Sequence, residues 1–160
     1  MTTEQVYVKM ALSGWESTIK RVDAIFSGLT DEQLMTEIAP GRNRGIYLLG
    51  HLIAVHDAMP VILGLGEARY PGLRAIFLDS PDRSGQAMPS IPELRAQWAE
   101  TNSRLAGLFG SLQPAEWFQR HMSVSPEDFA KEPWRNRLNV LLGRTVHLAS
   151  HQGQLVLLKK

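Results

Sequence analysis

The chain has 160 residues, with 17 Lys plus Arg against 16 Asp plus Glu, a formal net charge of +1, and 44% apolar residues. That near-balance excludes an electrostatic nucleic-acid binder, which needs a cationic excess to meet a phosphate backbone. The absence of Cys excludes disulfides, thiolate metal sites and thiol chemistry on the protein's own side chains.

At the start of the chain, Met1 to Gln5 lack a basic run followed by an apolar stretch, so no signal peptide is expected. Each apolar run reads as too short for a membrane span. The expectation is a cytoplasmic protein with no membrane and no nucleic-acid partner, folded as one domain over residues 1–160. Thr2 and Gln5 form a candidate capping box for a first helix. Its apolar residues Val6, Met10, Trp15, Ile19, Val22, Phe26 and Leu29 recur at helical spacing. Thr30 and Gln33 repeat the capping signal for a short turn over Asp31 to Leu34, and Ala39-Pro40-Gly41 breaks the chain.

A second helix is expected after Asn43 as N-cap. Its apolar positions from Ile46 to Ile62 cover most of the circumference, which predicts deep burial. Gly64 and Gly66 end it. About 26 residues, Gly64 to Pro89, follow, longer than a tight helix–helix connection. Ser90, Pro92 and Glu93 open a third helix with the stripe Leu94, Trp98, Leu105, Leu108 and Leu112. Ser125 is a candidate cap for a short turn at Pro126. The fourth helix starts between Pro133 and Asn136 and carries Leu138, Leu141, Leu142, Thr145, Leu148 and Leu155. Strand signals are poor, although His121 to Val124 has a weak pairing signal. Trp98, Trp117 and Trp134 read as packing residues. The fold class is all-α, a four-helix bundle. An extended crossover between helices two and three would give an up-down-down-up order.

Arg42-Asn43-Arg44 before Gly50 and Arg135-Asn136-Arg137 before Gly143 form a weak internal echo. Glycine costs about 1 kcal/mol inside a helix, so the pair points to close approach at both sites.

Of the five His, His147 and His151 are four apart and share one helix face, the separation at which two imidazoles grip one divalent ion. No Glu follows His147, so the metalloprotease version of this pattern is unsupported. The same face carries Val140, Arg144, Gln154 and Leu158. A third ligand is expected from another helix. His51 lies eight residues past Asn43, and its depth matches the His147–His151 pair if helices two and four run antiparallel. His56 lies about 140° around from His51 and reads as a structural residue, paired with Asp57 or facing a partner. His121 has no assigned place.

Gly50-His51-Leu52, with His147-Leu148-Ala149-Ser150-His151-Gln152-Gly153-Gln154-Leu155, resembles the DinB/YfiT-like family over nearly the whole chain. The resemblance implies an up-down-down-up bundle, commonly dimeric, with a divalent metal on His51, His147 and His151. It also implies a metal-dependent transferase or isomerase using a low-molecular-weight thiol. Three neutral imidazoles leave a coordination position open, the pattern of catalytic zinc. Zinc and nickel head the candidates, since imidazole accepts several metals. A thiol nucleophile would have to come from outside the protein. A metal-dependent hydrolase and a non-catalytic small-molecule-binding or stress-response dimer scaffold are the alternatives. Arg144 is a candidate partner for a substrate carboxylate, and Gln154 for a metal-bound water. The remaining expectations are a small-molecule substrate and a homodimer, with the apolar second helix as a candidate interface.

Overall fold

Three reciprocal capping boxes start helices where the residues predict them. Thr2 with Gln5 opens α1 (Thr3–Gly28), Thr30 with Gln33 opens the single turn α2 (Asp31–Leu34), and Ser90 with Glu93 opens α6 (Ile91–Ser111). Between α2 and α6 lie α3 (Gly45–Asp57), α4 (Met59–Leu63) and α5 (Leu73–Phe77). After α6 come a 3-10 turn at Pro114–Phe118, α7 (Pro126–Lys131), α8 (Arg137–Leu155) and a closing 3-10 turn at Val156–Leu158. The structure, a computed structural model, describes residues 1–159. Among them the only β pairings are isolated bridges, Glu37 with Arg44 and Arg120 with Asn136. The protein is all-α.

The second helix of the sequence is two helices. The chain turns at Ala58, and Pro60 falls in the first turn of α4, where its missing N–H leaves no helical bond unmade. Gly64 ends α4 with a left-handed φ of 68°, a conformation open to glycine without a Cβ penalty. Arg44, not Asn43, is the N-cap of α3, and it makes no side-chain cap bond. Its backbone N–H and guanidinium are committed instead to Asp82. α8 starts just past the predicted Pro133 to Asn136 interval, with Asn136 as its N-cap accepting from the N–H of Asn139.

The core sits around α3. Every residue of α3 except His51 is buried, and Leu49, Leu52 and Ile53 have no exposed surface. Gly45–Leu63 has a mean hydropathy of 1.6, enough by length and composition to cross a bilayer, but 78% of it is buried inside the protein. That stretch is longer than the sequence reading allowed, and its burial also removes it as an exposed dimer surface. α1 packs along α8, and α3 along α6. Phe26 meets the Trp98 ring edge-on at 5.3 Å, and Trp15 meets Phe109 at 6.1 Å.

Two stripes differ from expectation. α1 buries Val8, Ala11, Trp15, Val22 and Phe26, whereas Val6 and Met10 face solvent. On α8, Leu142 and Val146 are exposed. Trp134 is 60% exposed and is not a packing residue, in contrast to the buried Trp98 and Trp117.

The long segment after α4 is not an extended strap. α5 folds back onto α3, and Phe77 has no exposed surface. The Tyr47 hydroxyl donates to the carbonyl of Ser80 at 2.7 Å. The Phe77 ring lies directly against the Cα of Gly50, where a Cβ would overlap it. The close approach expected at Gly50 is therefore real, but it is made by a side chain from the linker. Gly143 faces open space, so the internal echo does not extend to it.

Candidate metal centre

His51 projects from the half-way point of α3, and His147 and His151 from successive turns of α8. Their ligand atoms lie within 4.8 Å of one another. The Nε2 atoms of His51 and His151 each lie 3.2 Å from the Nε2 of His147. The rings are 4.6 to 5.2 Å apart by centroid and steeply tilted to one another, so the nitrogens converge without ring stacking. All three side chains are half-buried.

The hydrogen bonds behind the rings fix which nitrogen is free. The carbonyl of Phe77 can only accept, so His51 Nδ1, at 2.9 Å, carries the proton. His151 Nδ1 donates to Gln154 Oε1 at 2.7 Å. In the neutral tautomers, Nε2 of both rings is then a bare lone pair aimed at the common centre. His147 can offer one proton to one of them, which leaves at least one pair of lone pairs face to face. A shared cation resolves that repulsion. The spacing fits one: two nitrogens bound at about 2.1 Å with tetrahedral angles lie about 3.4 Å apart.

Burial disfavours the charged form of two of the three rings. Burial pushes His147 down to about 4, helped by His151, His51 and Arg144. Burial also lowers His151, against the opposing effect of the hydrogen bond it donates to Gln154 Oε1. Unprotonated imidazoles at neutral pH are the form that binds a metal. The donor set therefore fits a divalent cation with an open position.

The other sequence candidates fall as follows. Gln154 sits on His151 and orients the ring, rather than reaching the open side of the cluster. Arg144 is one turn before His147, half-buried, with Nε sealed from solvent and without a partner. His56 is outside the cluster and fully buried; it donates from Nδ1 to Asn102 Oδ1 at 2.8 Å. It is not paired with Asp57, which accepts from the N–H groups of Arg69 and Tyr70. His121 Nδ1 accepts from the N–H of Ser123. The sequence reading missed the Phe77 carbonyl. The spacing of Leu73, Ile76 and Phe77 was the available sign that the linker packs as a helical turn. A groove of about 520 Å3 between α1 and α6, bordered by Trp15, Trp98 and Phe109, contains none of the three ligands.

The fold and the site together define an all-α protein in which three imidazoles from two separate helices converge in a group that could hold a metal ion. Residues 15–155 match the family model of the DinB superfamily, and the chain belongs to that family. Comparison with curated proteins found no match.

Proposed function

We propose that this protein is a metal-dependent enzyme with an open divalent centre on His51, His147 and His151. We further propose that it transfers a low-molecular-weight thiol to or from a small molecule. The observation that carries the reading is the pair of Nε2 lone pairs fixed on the cluster by Phe77 O and Gln154. A zinc or nickel ion there would supply the Lewis acidity that makes a thiol sulfur or a water oxygen nucleophilic at neutral pH. The residues of the chain hold and orient: the Phe77 carbonyl and Gln154 set the ring planes, and burial disfavours the charged form of His147 and His151. The chain has no Cys, which favours an external thiol over a protein thiolate.

The test is elemental analysis of untagged protein, followed by a conjugation screen with small thiols on the loaded form. One metal per chain, lost in His51→Ala and His147→Ala, is expected. A metal-free protein whose zinc binding is unchanged by those substitutions would falsify the reading. Thiol-independent hydrolysis in the same screen would instead make the protein a metal-dependent hydrolase.

We also read the helices as an up-down-down-up bundle in one domain. Contacts of Phe26 with Trp98 and of Trp15 with Phe109 support an antiparallel α1 and α6. Gly45 against Leu158, with Arg137 Nε donating to Leu63 O, supports an antiparallel α3 and α8. A homodimer through the outer faces of α1 and α8 is the assembly we favour, because Tyr7, Met10, Leu142 and Val146 are exposed there. Light scattering on Val146→Glu tests it: a wild-type dimer and a monomeric variant are expected. A dimer of this kind that binds no metal would be the scaffold alternative.

A further inference from the structure

Arg144 is the part of this region that the histidine cluster does not account for. It makes no ion pair among the described residues, and its Nε is buried without an acceptor. Burial lowers its pKa, the sign of a cation held away from water with nothing to offset the loss. Arg44, Arg95 and Arg137 are also partly buried, but each has acceptors: Asp82, the Phe26 and Leu29 carbonyls, and the Leu63 and Glu116 carbonyls. Arg104, on α6, shares the condition through a buried Nη1 without a partner, but it does not line the cavity beside Arg144. A partly buried guanidinium without an acceptor is costly unless an anion arrives from outside the chain.

There is room for one. Arg144 lines a cavity of about 350 Å3 with Ile62, His121, Asn139 and Val140. A second cavity of about 380 Å3, bordered by Ala54, Ala58 and Leu78, shares Ile62 and Ser123 with it. Ala54 is one turn after His51, and Arg144 is one turn before His147, so this cleft follows α3 and α8 away from the cluster. No carboxylate lines the Arg144 cavity. His121 accepts from Ser123 N–H at Nδ1, which leaves its Nε2–H as a neutral donor; burial, with Arg135 and Arg120 nearby, disfavours its charged form. The cavity therefore presents one formal positive charge, with Ile62 and Val140 as its apolar walls and Ser123 and Asn139 as neutral polar ones. The adjoining cavity adds Arg74 and Asp57, which are already committed, Arg74 to Asp79 and Asp57 to the N–H groups of Arg69 and Tyr70. A phosphate dianion calls for more. A carboxylate matches the single planar fork of the guanidinium.

We propose that this cleft is the substrate site and that it takes a small organic carboxylate. The carboxylate sits on Arg144, one turn along α8 from His147, and the apolar body packs between Ile62 and Val140. That the bound molecule is the substrate of the His51, His147 and His151 centre rests on the metal-centre reading; the carboxylate site stands without it.

The experiment compares 3-phenylpropionate and hexanoate with their carboxamides by calorimetry, on chelator-treated and on zinc-loaded protein. Wild type should bind the acids at least tenfold tighter than the amides. Arg144→Gln should lose at least tenfold for the acids, with amide binding within twofold. Arg144→Lys keeps the charge without the fork and should fall between, and it serves if the Gln variant misfolds by circular dichroism. Acid and amide binding alike, acid binding unchanged in Arg144→Gln, or no acid binding by wild type overturns the proposal. Zinc stoichiometry is measured alongside. A protein that binds acids through Arg144 but takes up no zinc sinks the metal centre and leaves the carboxylate site standing. One that takes up zinc but is indifferent to the acid group does the reverse.

Discussion

Gly50 shows how the centre depends on a residue that never touches it. Replacing Gly50 by Ala gains up to about 1 kcal/mol of helix propensity. It also drives a methyl into the buried Phe77 ring, and overpacking of that kind costs about 1–3 kcal/mol. The clash should win, because the obstacle is a rigid ring with no exposed surface. Gly50→Ala is expected to lower the urea midpoint, and to weaken zinc binding by shifting the Phe77 carbonyl off His51. His56 gives a pH prediction. Burial, opposed by the Asn102 hydrogen bond, holds it down to about 3, below an unfolded value near 6.5. Between those limits the unfolded chain binds a proton that the folded chain refuses, so its stabilising contribution is present above pH 6.5 and lost as the pH falls toward 3. In urea titrations of chelated protein between pH 6 and 4, His56→Leu should reduce the slope of stability against pH by about 1.4 kcal/mol per unit. An unchanged slope would show that the ring is protonated in the folded state. At this scale the convergence of the three histidines was legible, since the i, i+4 pair and the matched depth of His51 are sequence properties. The Phe77 carbonyl was not, because a backbone acceptor carries no residue signature.

Among the elements, the segment from Gly64 to Pro89 matters most. Asp82 fastens it to the start of α3. Desolvation raises the Asp82 carboxyl, but hydrogen bonds from the Arg44 side chain and backbone outweigh this and hold it below its usual range. The pair is well covered, with side chains 17% and 6% exposed. Asp82→Ala should cost about 2 kcal/mol, the scale of a hydrogen bond to a charged group. It should speed amide exchange over α5. Through the Phe77 carbonyl it should also weaken zinc binding by on the order of tenfold, as loss of an orienting partner does elsewhere. Faster exchange with unaltered zinc affinity would separate α5 from the centre. The capping boxes at Thr2, Thr30 and Ser90 were readable because each is a local exchange of two hydrogen bonds within four residues. Asn43 misled because Arg44, next to it, is drawn into a contact with a residue 38 positions away. Pro60 did signal the break between α3 and α4, but the continuous apolar pattern masked it.

For the whole molecule, the helical class followed from periodicity, whereas the orientation of the outer stripes did not. Val6, Met10 and Leu142 satisfy helical spacing yet face solvent, since one chain's pattern does not say whether an apolar position is covered by the same chain or by another surface. Stability is a property of this scale too. Metal that binds only the native state stabilises it by about 2.7 kcal/mol at a hundred times its Kd. Zinc should therefore raise the melting temperature, an excess of chelator should reverse the rise, and His151→Ala should abolish it. A shift that survives His151→Ala would assign the effect to surface sites.

His51 and His147 are 96 positions apart, and the last three turns of α8 complete the cluster. On the ribosome, therefore, α1 through α6 emerge with no means of gripping an ion. Nascent chains stalled before His147 should resist proteolysis equally with and without zinc, and only release of α8 should make the metal count. A metal held by all three histidines would load only after α8 is made, and the apolar contacts around α3 must organise the earlier helices unaided.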